Sequence, residues 1–457
     1  MAFPTKVNKP GADAKDLYGN QAIWRIAGPM ILSASTTPLL GMVDTAVVGH
    51  LETAWYLGAV AVGATLFSLL FMGLNFLRMG TTGLTAQAFG ADSDSGIRES
   101  LGQPAIAALL LASALILLQA PIIDLALRLL APGAEVAAQA RLYFGIRIWS
   151  APASLLNFVL IGWLLGMQNA RGPLAMVLSI NLINIVLDLL FVLVMDWRVA
   201  GVAAATLLAE LAGLAVGLLF VQRELGKRAG NWSDIALADP RRYMRLLDVN
   251  GNLFLRTMAL MFVFAFITAQ GARMGDAVLA ANAVLMNFQY LLSYALDGMA
   301  HAAEALVGRA AGARQRAGLL LAVKRTLRWS LGMAAGFTVF FWLAGPGLID
   351  LLTGLEDVRE IALSYLPWLI LSPLVSCWSF FYDGVYVGLT RSREMMLVMV
   401  TSAAGLFLPA FYLLADFGNH ALWFAFTLFM AGRGIGMHVW FQRLIAADSP
   451  VLPARRE

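Results

Sequence analysis

Long apolar stretches separated by short polar connections fill the chain from about residue 20 to residue 445. A helix that crosses a bilayer needs about 20 mostly apolar residues, and twelve stretches meet this condition; we number them helices 1 to 12. They cover residues 22–48, 57–80, 103–127, 140–166, 172–195, 199–222, 245–270, 278–300, 318–345, 362–388, 395–415 and 420–445. The pattern therefore predicts an all-α integral membrane protein.

The longest polar interruption, residues 223–244, divides the helices into two sets of six. We predict an organisation of five parts that follow one another along the chain: a cytoplasmic N-terminal tail 1–21, a first six-helix lobe 22–222, a cytoplasmic linker 223–244, a second six-helix lobe 245–445 and a cytoplasmic C-terminal tail 446–457. Residues 1–21 have no apolar core and no small-residue cleavage site, so no removable signal peptide is expected.

The two sets of helices repeat with a constant offset of 222 residues. Identical residues recur at Leu57/Leu279, Ala61/Ala283, Leu74/Leu296, Gly90/Gly312, Gly162/Gly384 and Gly166/Gly388. Because six is an even number, both sets enter the membrane from the same side. The repeat is therefore predicted to be parallel, with a pseudo-two-fold axis along the membrane normal, an arrangement suited to alternating access.

Composition agrees with a membrane protein and excludes several soluble classes. Hydrophobic residues make up 60% of the chain and charged residues 13%, whereas soluble domains carry about 25% charged residues. A soluble enzyme, a disordered scaffold and a nucleic-acid-binding module are all poor interpretations. The single cysteine, Cys377, excludes a disulfide framework.

Basic residues predict the orientation of the helices. If the N-terminus is cytoplasmic, 23 of the 32 lysines and arginines lie in the tails and the even-numbered connections, and only six lie on the opposite side. Cytoplasmic loops carry an excess of lysine and arginine. Both termini are therefore predicted to be cytoplasmic. We expect the protein itself to lie in the bacterial inner membrane.

Four polar residues within the first lobe predict an ion-coupling site. Asp44 lies in helix 1, Asn184 and Asp188 share one face of helix 5 at i, i+4 spacing, and Thr206 lies in helix 6. Ionisable residues inside a membrane are expensive and point to function. Two carboxylates, an amide and a hydroxyl suit a proton or a small hard cation such as sodium. An alternative for Asp44 is a helix-end carboxylate in the headgroup region.

The repeat provides an internal control for this site. Adding 222 to the four positions gives Phe266, Leu406, Ala410 and Leu428, which are all apolar. A requirement of the six-helix fold would recur in both lobes. The polarity is therefore specific to the first lobe, which favours a functional role.

Further predictions concern single residues of the first lobe. Pro29 removes a backbone hydrogen bond from helix 1 and predicts a bend, either a hinge or a static packing kink. Tyr143, Asn157 and Gln87 are candidates for lining a substrate cavity. Polar residues of helix bundles also bridge neighbouring helices, which is the alternative for these three.

The second lobe has a polar stripe of its own. Asp297, His301 and Glu304 fall at i, i+4 and i+7 on helix 8. The stripe is either a second proton route or a set of substrate contacts, and the alternative is pairing with nearby arginines.

Motifs for other energy sources are missing from the sequence. Lys227 lacks both the upstream glycine and the following Ser or Thr of a P-loop. The glycine-rich run GRGIG at 432–436 lies in helix 12, where close packing explains it better. We therefore predict a secondary transporter that is not an enzyme, has no cofactor and uses H⁺ and/or Na⁺ as its coupling ion.

These motifs resemble the multidrug and toxic compound extrusion (MATE) family, in particular its DNA-damage-inducible F branch. The resemblance covers about residues 20–445 and rests on Pro29 and Asp44 separated by 14 residues, on Asn184 and Asp188 separated by three, and on Thr206. It implies a cation-coupled efflux antiporter for amphipathic, mainly cationic compounds. It also implies coupling at these four polar residues and a bend of helix 1 at the proline.

The expected partners are small amphipathic drugs or toxins and membrane lipids, without nucleic acid, and the protein is expected to be a monomer. Two alternatives stay open. A flippase for a lipid-linked sugar would favour a cleft rich in arginine, whereas Arg78 and Arg256 are nearly alone within helices. A membrane enzyme or scaffold without transport would not depend on an ion gradient.

Overall fold

The computed structural model describes residues 17–49, 53–232 and 240–446, and its regular structure over these ranges is entirely helical. We label the long helices α1 to α12 in chain order. Their bounds are α1 Asn20–Gly49, α2 Trp55–Gly90, α3 Asp94–Leu117, α4 Ala134–Gly166, α5 Arg171–Val194, α6 Arg198–Leu225, α7 Pro240–Arg273, α8 Asp276–Gly312, α9 Arg316–Leu352, α10 Glu356–Gly388, α11 Ser392–Leu413 and α12 Asn419–Ala446. A short helix, Gln119–Leu130, extends α3.

These helices match the twelve predicted segments in number and order. Eleven of them, α2 to α12, are long and apolar enough within the described residues to cross a membrane. The remaining helix, α1, has 30 residues, and several of its side chains are not among those that the structure describes. Leu117, Leu343 and Leu413 are 81%, 69% and 83% exposed, as expected of an apolar membrane-spanning surface. The predicted all-α membrane fold is confirmed.

Among the described helices, α4, α5 and α11 contain a 3₁₀ or π-helical segment. In α4 a 3₁₀ turn, Ile148–Ser150, precedes Pro152, which cannot donate a backbone hydrogen bond and is tolerated at a helix start. Segments of π-helix occur in α5 at Leu189–Val194 and in α11 at Ala403–Phe407. Such segments are rare and are frequent at functional sites.

Helix contacts repeat between the halves with the predicted offset of 222. Gly162 of α4 lies against the carbonyl oxygen of Arg78 in α2, and Gly384 of α10 lies against the carbonyl oxygen of Ala300 in α8. A Cβ atom at either glycine would clash with that backbone oxygen. The small residues therefore permit the same close helix approach in each half.

Two turns at equivalent positions of the two halves repeat as well. Asp92 and Arg314 have φ of 49° and 57°, and Gln168 and Thr390 have φ of 61° and 55°. Left-handed backbone is uncommon for residues other than glycine, so its recurrence at both equivalent pairs is specific. Together with the glycine contacts, it confirms the parallel repeat.

Contacts divide the chain into two compact units. We call residues Leu32–Leu246 the first unit and residues Met1–Ile31 with Leu247–Glu457 the second unit. The division falls within α1, two residues after Pro29. The part of α1 before it packs with helices of the second half: Gly298 of α8 lies against Ile31 and Ala27.

The predicted lobe boundaries follow the order of the helices along the chain, and they stay a prediction. The linker 223–244 falls between α6 and α7, with residues 233–239 outside the described ranges. The predicted tails 1–21 and 446–457 also lie mostly outside them.

Buried side chains form separate cores in the two units. The first unit has two clusters, one around Phe67, Tyr143 and Phe144 and one around Leu77 and Trp163. The second unit has a larger aromatic cluster, which includes Phe288, Phe341, Phe407, Phe426 and Phe429. Polar groups inside these apolar surroundings need internal partners. The partners that they find define the candidate sites below.

Candidate functional site

Three of the four predicted coupling residues come together in the α5–α6 hairpin. Asn184 and Asp188 lie one turn apart on α5, and both are buried, at 1% and 0% exposure. Thr206 lies on α6, opposite Asn184. The structure thus joins a carboxylate, an amide and a hydroxyl that the sequence places 22 residues apart at most.

A tight turn between α5 and α6 sets the register of these side chains. Asp196 and Arg198 have φ of 53° and 51°. The backbone nitrogen of Trp197 donates to the carbonyl oxygen of Phe191 at 2.8 Å, and the two rings stack with centroids 4.8 Å apart. Because the turn is closed in this way, Thr206 lies level with Asn184.

Hydrogen bonds connect the three residues. In the carboxamide orientation that satisfies both neighbours, the Asn184 nitrogen donates to Oδ2 of Asp188 at 3.2 Å, and its oxygen accepts from the backbone nitrogen of Thr206 at 3.2 Å. The Thr206 hydroxyl donates to the carbonyl oxygen of Val202 at 3.0 Å. The oxygen atoms of Asp188, Asn184 and Thr206 are therefore the hard ligands of this group.

Asp188 ends the α-helical part of α5, and the π-helical segment Leu189–Val194 follows directly. A π-helical turn changes which residues face a neighbouring helix, because it inserts an extra residue into the turn. The apolar residues after Asp188 therefore continue the helix without extending its polar face.

Asp44, the fourth predicted coupling residue, lies in α1, but its side chain is outside the described part of the chain. Its association with Asp188 stays a prediction. Pro29 is also in α1, which continues through it as one helix from Asn20 to Gly49.

A second polar group lies one turn beyond Thr206 on α6. Nδ2 of Asn157, on α4, donates to the backbone carbonyl oxygen of Glu210 at 3.0 Å and to its Oε2 at 2.8 Å. The Ser154 hydroxyl, which donates to Oγ of Ser150 at 3.5 Å, also stabilises the Glu210 carboxylate. Sequence reasoning selected Asn157 but missed Glu210. The signal was available, because Glu210 follows Thr206 at i+4 on the same helix face.

Tyr143 contacts an arginine of its own helix. The Arg147 guanidinium donates to the Tyr143 hydroxyl. It also lies over the Phe67 ring, 4.7 Å from the centroid, and 5.5 Å from the centroid of the Tyr143 ring. Arg147 attracts the Glu210 carboxylate, so Tyr143 and Asn157 belong to one polar region.

Gln87 is far from that region. It accepts a hydrogen bond from Nη2 of Arg245 at 3.0 Å. Tyr143 packs against Phe67, which precedes Gln87 by 20 residues on α2, a separation of about 30 Å at 1.5 Å per helical residue. The structure therefore separates Gln87 from the other two predicted cavity residues.

The second unit contains an ion cluster that joins three helices. Asp383 of α10 forms ion pairs with Arg256 of α7 and with Arg433 of α12, the latter at 2.7 Å. Their exposures are 8%, 7% and 2%. Arg433 also attracts Asp297 of α8, so two carboxylates face two guanidinium groups and the cluster is charge-compensated.

The predicted stripe on α8 is divided between two environments. Asp297 faces the arginine cluster, whereas Nδ1 of His301 lies 3.4 Å from Oε2 of Glu304. The two alternatives for the stripe, pairing with arginines and a proton route, therefore concern different residues. Neither role is tested by these contacts, and both stay predictions.

The donors of the α5–α6 hairpin would fit a proton or a sodium ion through oxygen atoms alone. Within the described ranges, no three His, Cys, Asp or Glu side chains gather to hold a metal ion. A hard monovalent cation would instead use the oxygens of Asp188, Asn184 and Thr206.

Known proteins identify the family. A family model described as MatE matches residues 29–190 and 253–413, once in each half. The chain belongs to the MatE family. The resemblance predicted from the motifs is confirmed, and the protein is a multi-pass member of a membrane transporter family.

Relatives of this MatE protein extend over nearly the whole chain. It is 45% identical to the DNA damage-inducible protein F of Escherichia coli (strain K12) over 424 residues, which cover 93% of this chain and 92% of the relative. It is 27% identical to Protein DETOXIFICATION 44, chloroplastic, of Arabidopsis thaliana, covering 94% and 84%. A solved MOP superfamily transporter from Pyrococcus furiosus has the same fold, with a TM-score of 0.84, 21% identity and coverages of 96% and 99%.

The MatE matches end before the last helix of each half. They omit α6 and α12, which carry Thr206, Glu210 and Arg433. Arg433 lies inside the glycine-rich run at 432–436, and Gly434 is close to the Trp378 side chain. The run was predicted from its glycines to pack closely, and its arginine received no role. An arginine within an apolar helix was the signal for a buried partner.

Proposed function

We propose that this MatE protein is a cation-coupled efflux antiporter. It uses a proton gradient, a sodium gradient or both to export amphipathic, mainly cationic organic compounds by alternating access. The observation that carries the proposal is the fully buried Asp188 carboxylate, linked to Asn184 and Thr206 in the α5–α6 hairpin. An ionisable residue at this depth in a membrane protein is costly and is retained for function.

The chemistry of the hairpin supports exchange between an ion and a drug. Protonation of Asp188, or capture of sodium by its oxygens, removes a negative charge from the first half. A cationic drug is attracted by that charge when the site is empty. Ion and drug therefore compete, and each weakens the binding of the other by the same factor.

Asp44 and Pro29 complete the proposed mechanism. Asp44 supplies a second carboxylate to the coupling group, and two carboxylates close together in low dielectric favour sharing one proton or one cation. Pro29 bends α1 during the cycle. This role is consistent with the contact division of α1 after Ile31.

The second half contributes less to coupling in this proposal. Asp383 is held by Arg256 and Arg433, so it is neutralised without an external ion. The same pairing disfavours a lipid-linked sugar flippase, because that function needs arginines with charge available for a pyrophosphate. His301 and Glu304 are the pair left for a second proton route.

We place the protein as a monomer in the bacterial inner membrane, with both termini in the cytoplasm. The asymmetry of lysine and arginine between the two sides supports this orientation. Its substrates are small drugs or toxins that partition into the lipid before export.

Dye efflux from proteoliposomes tests the proposal, with proton and sodium gradients imposed separately. We expect wild-type protein to export a cationic dye when at least one gradient is present and Asp188→Asn to lose that dependence. Asp124→Asn is the matched control, since Asp124 is 45% exposed in a surface pair with Arg141. Equal export by wild type with and without both gradients would contradict the proposal.

A further inference from the structure

The polar group on α4 and α6 beyond Thr206 has no role in the proposed coupling site. We name Glu210, Asn157 and Ser154 the Glu210 cluster. Asn157 and Ser154 are 2% and 3% exposed, and Glu210 is half-buried. Nδ2 of Asn157 donates to the Glu210 carboxylate, and the Ser154 hydroxyl, which contacts Ser150, also stabilises that carboxylate. Four residues, about 6 Å along the helix axis, separate Glu210 from Thr206 on α6.

The orientation of the Asn157 carboxamide is fixed by its partners. Both atoms that it contacts, the Glu210 carbonyl oxygen and Oε2, are acceptors, so the amide nitrogen must face them. Its oxygen, Oδ1, points elsewhere and is buried without a donor among the described residues. A buried acceptor without a donor is destabilising, and such atoms in native proteins call for an explanation.

The positively charged side chain of Arg147 lies near the Glu210 cluster. Its guanidinium lies over the Phe67 ring and beside the Tyr143 ring, and it attracts the Glu210 carboxylate. Its Nε is buried and has no acceptor in the described ranges. Aromatic faces, a carboxylate and an amide acceptor are the groups that bind an organic cation.

We propose that the Glu210 cluster binds the charged nitrogen of the transported compound, and that Arg147 is a built-in cation that compensates Glu210 when no substrate is bound. The proposal rests on the proposed export of cations and names the groups that receive them. The substrate charge interacts with Glu210, its N–H group donates to Oδ1 of Asn157, and its apolar part packs on Phe67 and Tyr143.

This arrangement predicts a chemical preference. A protonated amine carries both a charge and an N–H donor, whereas a quaternary ammonium carries only the charge. Oδ1 of Asn157 is satisfied by the first and stays without a donor beside the second. Among cations of similar size, protonated amines therefore bind more tightly.

Fluorescence titration of the purified full-length protein in detergent tests the proposal with two matched probes. One is the dansyl amide of N,N-dimethylethylenediamine, protonated at neutral pH, and the other is its trimethylammonium derivative. We expect wild type to bind the protonated probe about tenfold more tightly, which is the effect of one satisfied buried acceptor. We expect Glu210→Gln to weaken the binding of both probes about tenfold, and Arg147→Met to tighten the binding of both.

Two control variants on the same helices lie outside the cluster. Glu224→Gln on α6 removes a carboxylate that pairs with exposed Lys227, and Arg141→Met on α4 removes an exposed arginine. Both should bind the probes like wild type. Gel filtration and thermal unfolding establish that each variant is folded.

The outcomes separate this proposal from the proposed function. Equal affinities of wild type for both probes, or unchanged affinities in both Glu210→Gln and Arg147→Met, would overturn the assignment of the Glu210 cluster while export stands. If Glu210→Gln does not fold, the assignment of the Glu210 cluster is tested by the affinities of Arg147→Met and by the comparison of the two probes on wild type. Failure of wild type to export any cation under either gradient would instead overturn the proposed function.

Discussion

Replacing Asp188 by Asn removes one charge from the first half and keeps a hydrogen-bond acceptor. The Asn184 nitrogen donates to Oδ2 of Asp188 at 3.2 Å, and the amide oxygen of the new side chain can accept the same bond. The two side chains are nearly equal in volume. We therefore expect Asp188→Asn to fold with the yield of wild type and to change only the electrostatics of the hairpin.

The loss of that charge sets the size of the effect. A monovalent ion about 4 Å from a carboxylate gains about 4 kcal/mol at an effective dielectric constant near 20. Desolvation of the ion and of the fully buried Asp188 offsets much of this gain. If about a third remains, the ion changes the affinity for a cationic drug about tenfold.

Equilibrium binding of a cationic dye in detergent measures this coupling. For wild type we expect the affinity to rise about tenfold as protons and sodium are removed, because the Asp188 carboxylate then carries its negative charge with no coupling ion bound. In Asp188→Asn the affinity should be low and independent of pH and sodium. Full wild-type dependence in a folded Asp188→Asn protein would refute the assignment of Asp188 as the coupling carboxylate.

Three further predictions concern other parts of the chain. Asp44→Asn should abolish gradient-driven dye efflux at normal expression, and wild-type rates would contradict its coupling role. Gly162→Ala and Gly384→Ala should each lower stability by about 1–3 kcal/mol, since each Cβ would meet a backbone oxygen; thermal unfolding in detergent should show similar losses in both halves. Asp383→Ala should destabilise the protein by about 3–5 kcal/mol because two buried arginines lose their partner, and thermal stability equal to wild type would exclude this.

The sequence by itself determined the twelve helices and their repeat. Hydropathy reports on each segment separately, because every membrane-spanning helix satisfies its own backbone hydrogen bonds. The offset of 222 residues predicted equivalent positions, and Gly162 and Gly384 make the same contact in the two halves. The i, i+4 spacing of Asn184 and Asp188 likewise placed them on one face before the fold was known.

Only the tertiary structure decided which polar groups meet. Asn157 is 53 residues from Glu210, and Asp383 is 50 residues from Arg433. A carboxylate in an apolar helix indicates that a partner is needed. The sequence pattern of that helix alone does not predict which other helix supplies the partner. For this reason Asn157 was selected without Glu210, and the arginine within the glycine-rich run of α12 was passed over.

The division of α1 was also decided by packing. The hydropathy pattern predicts α1 as one helical segment and does not mark a division at Pro29. Side-chain fit assigns Ala27 and Ile31 to the unit that contains Gly298. Apolar burial depends on the shape of the neighbour and not on position along the chain. The sequence therefore predicted the helix α1, and the structure determined where its contacts change.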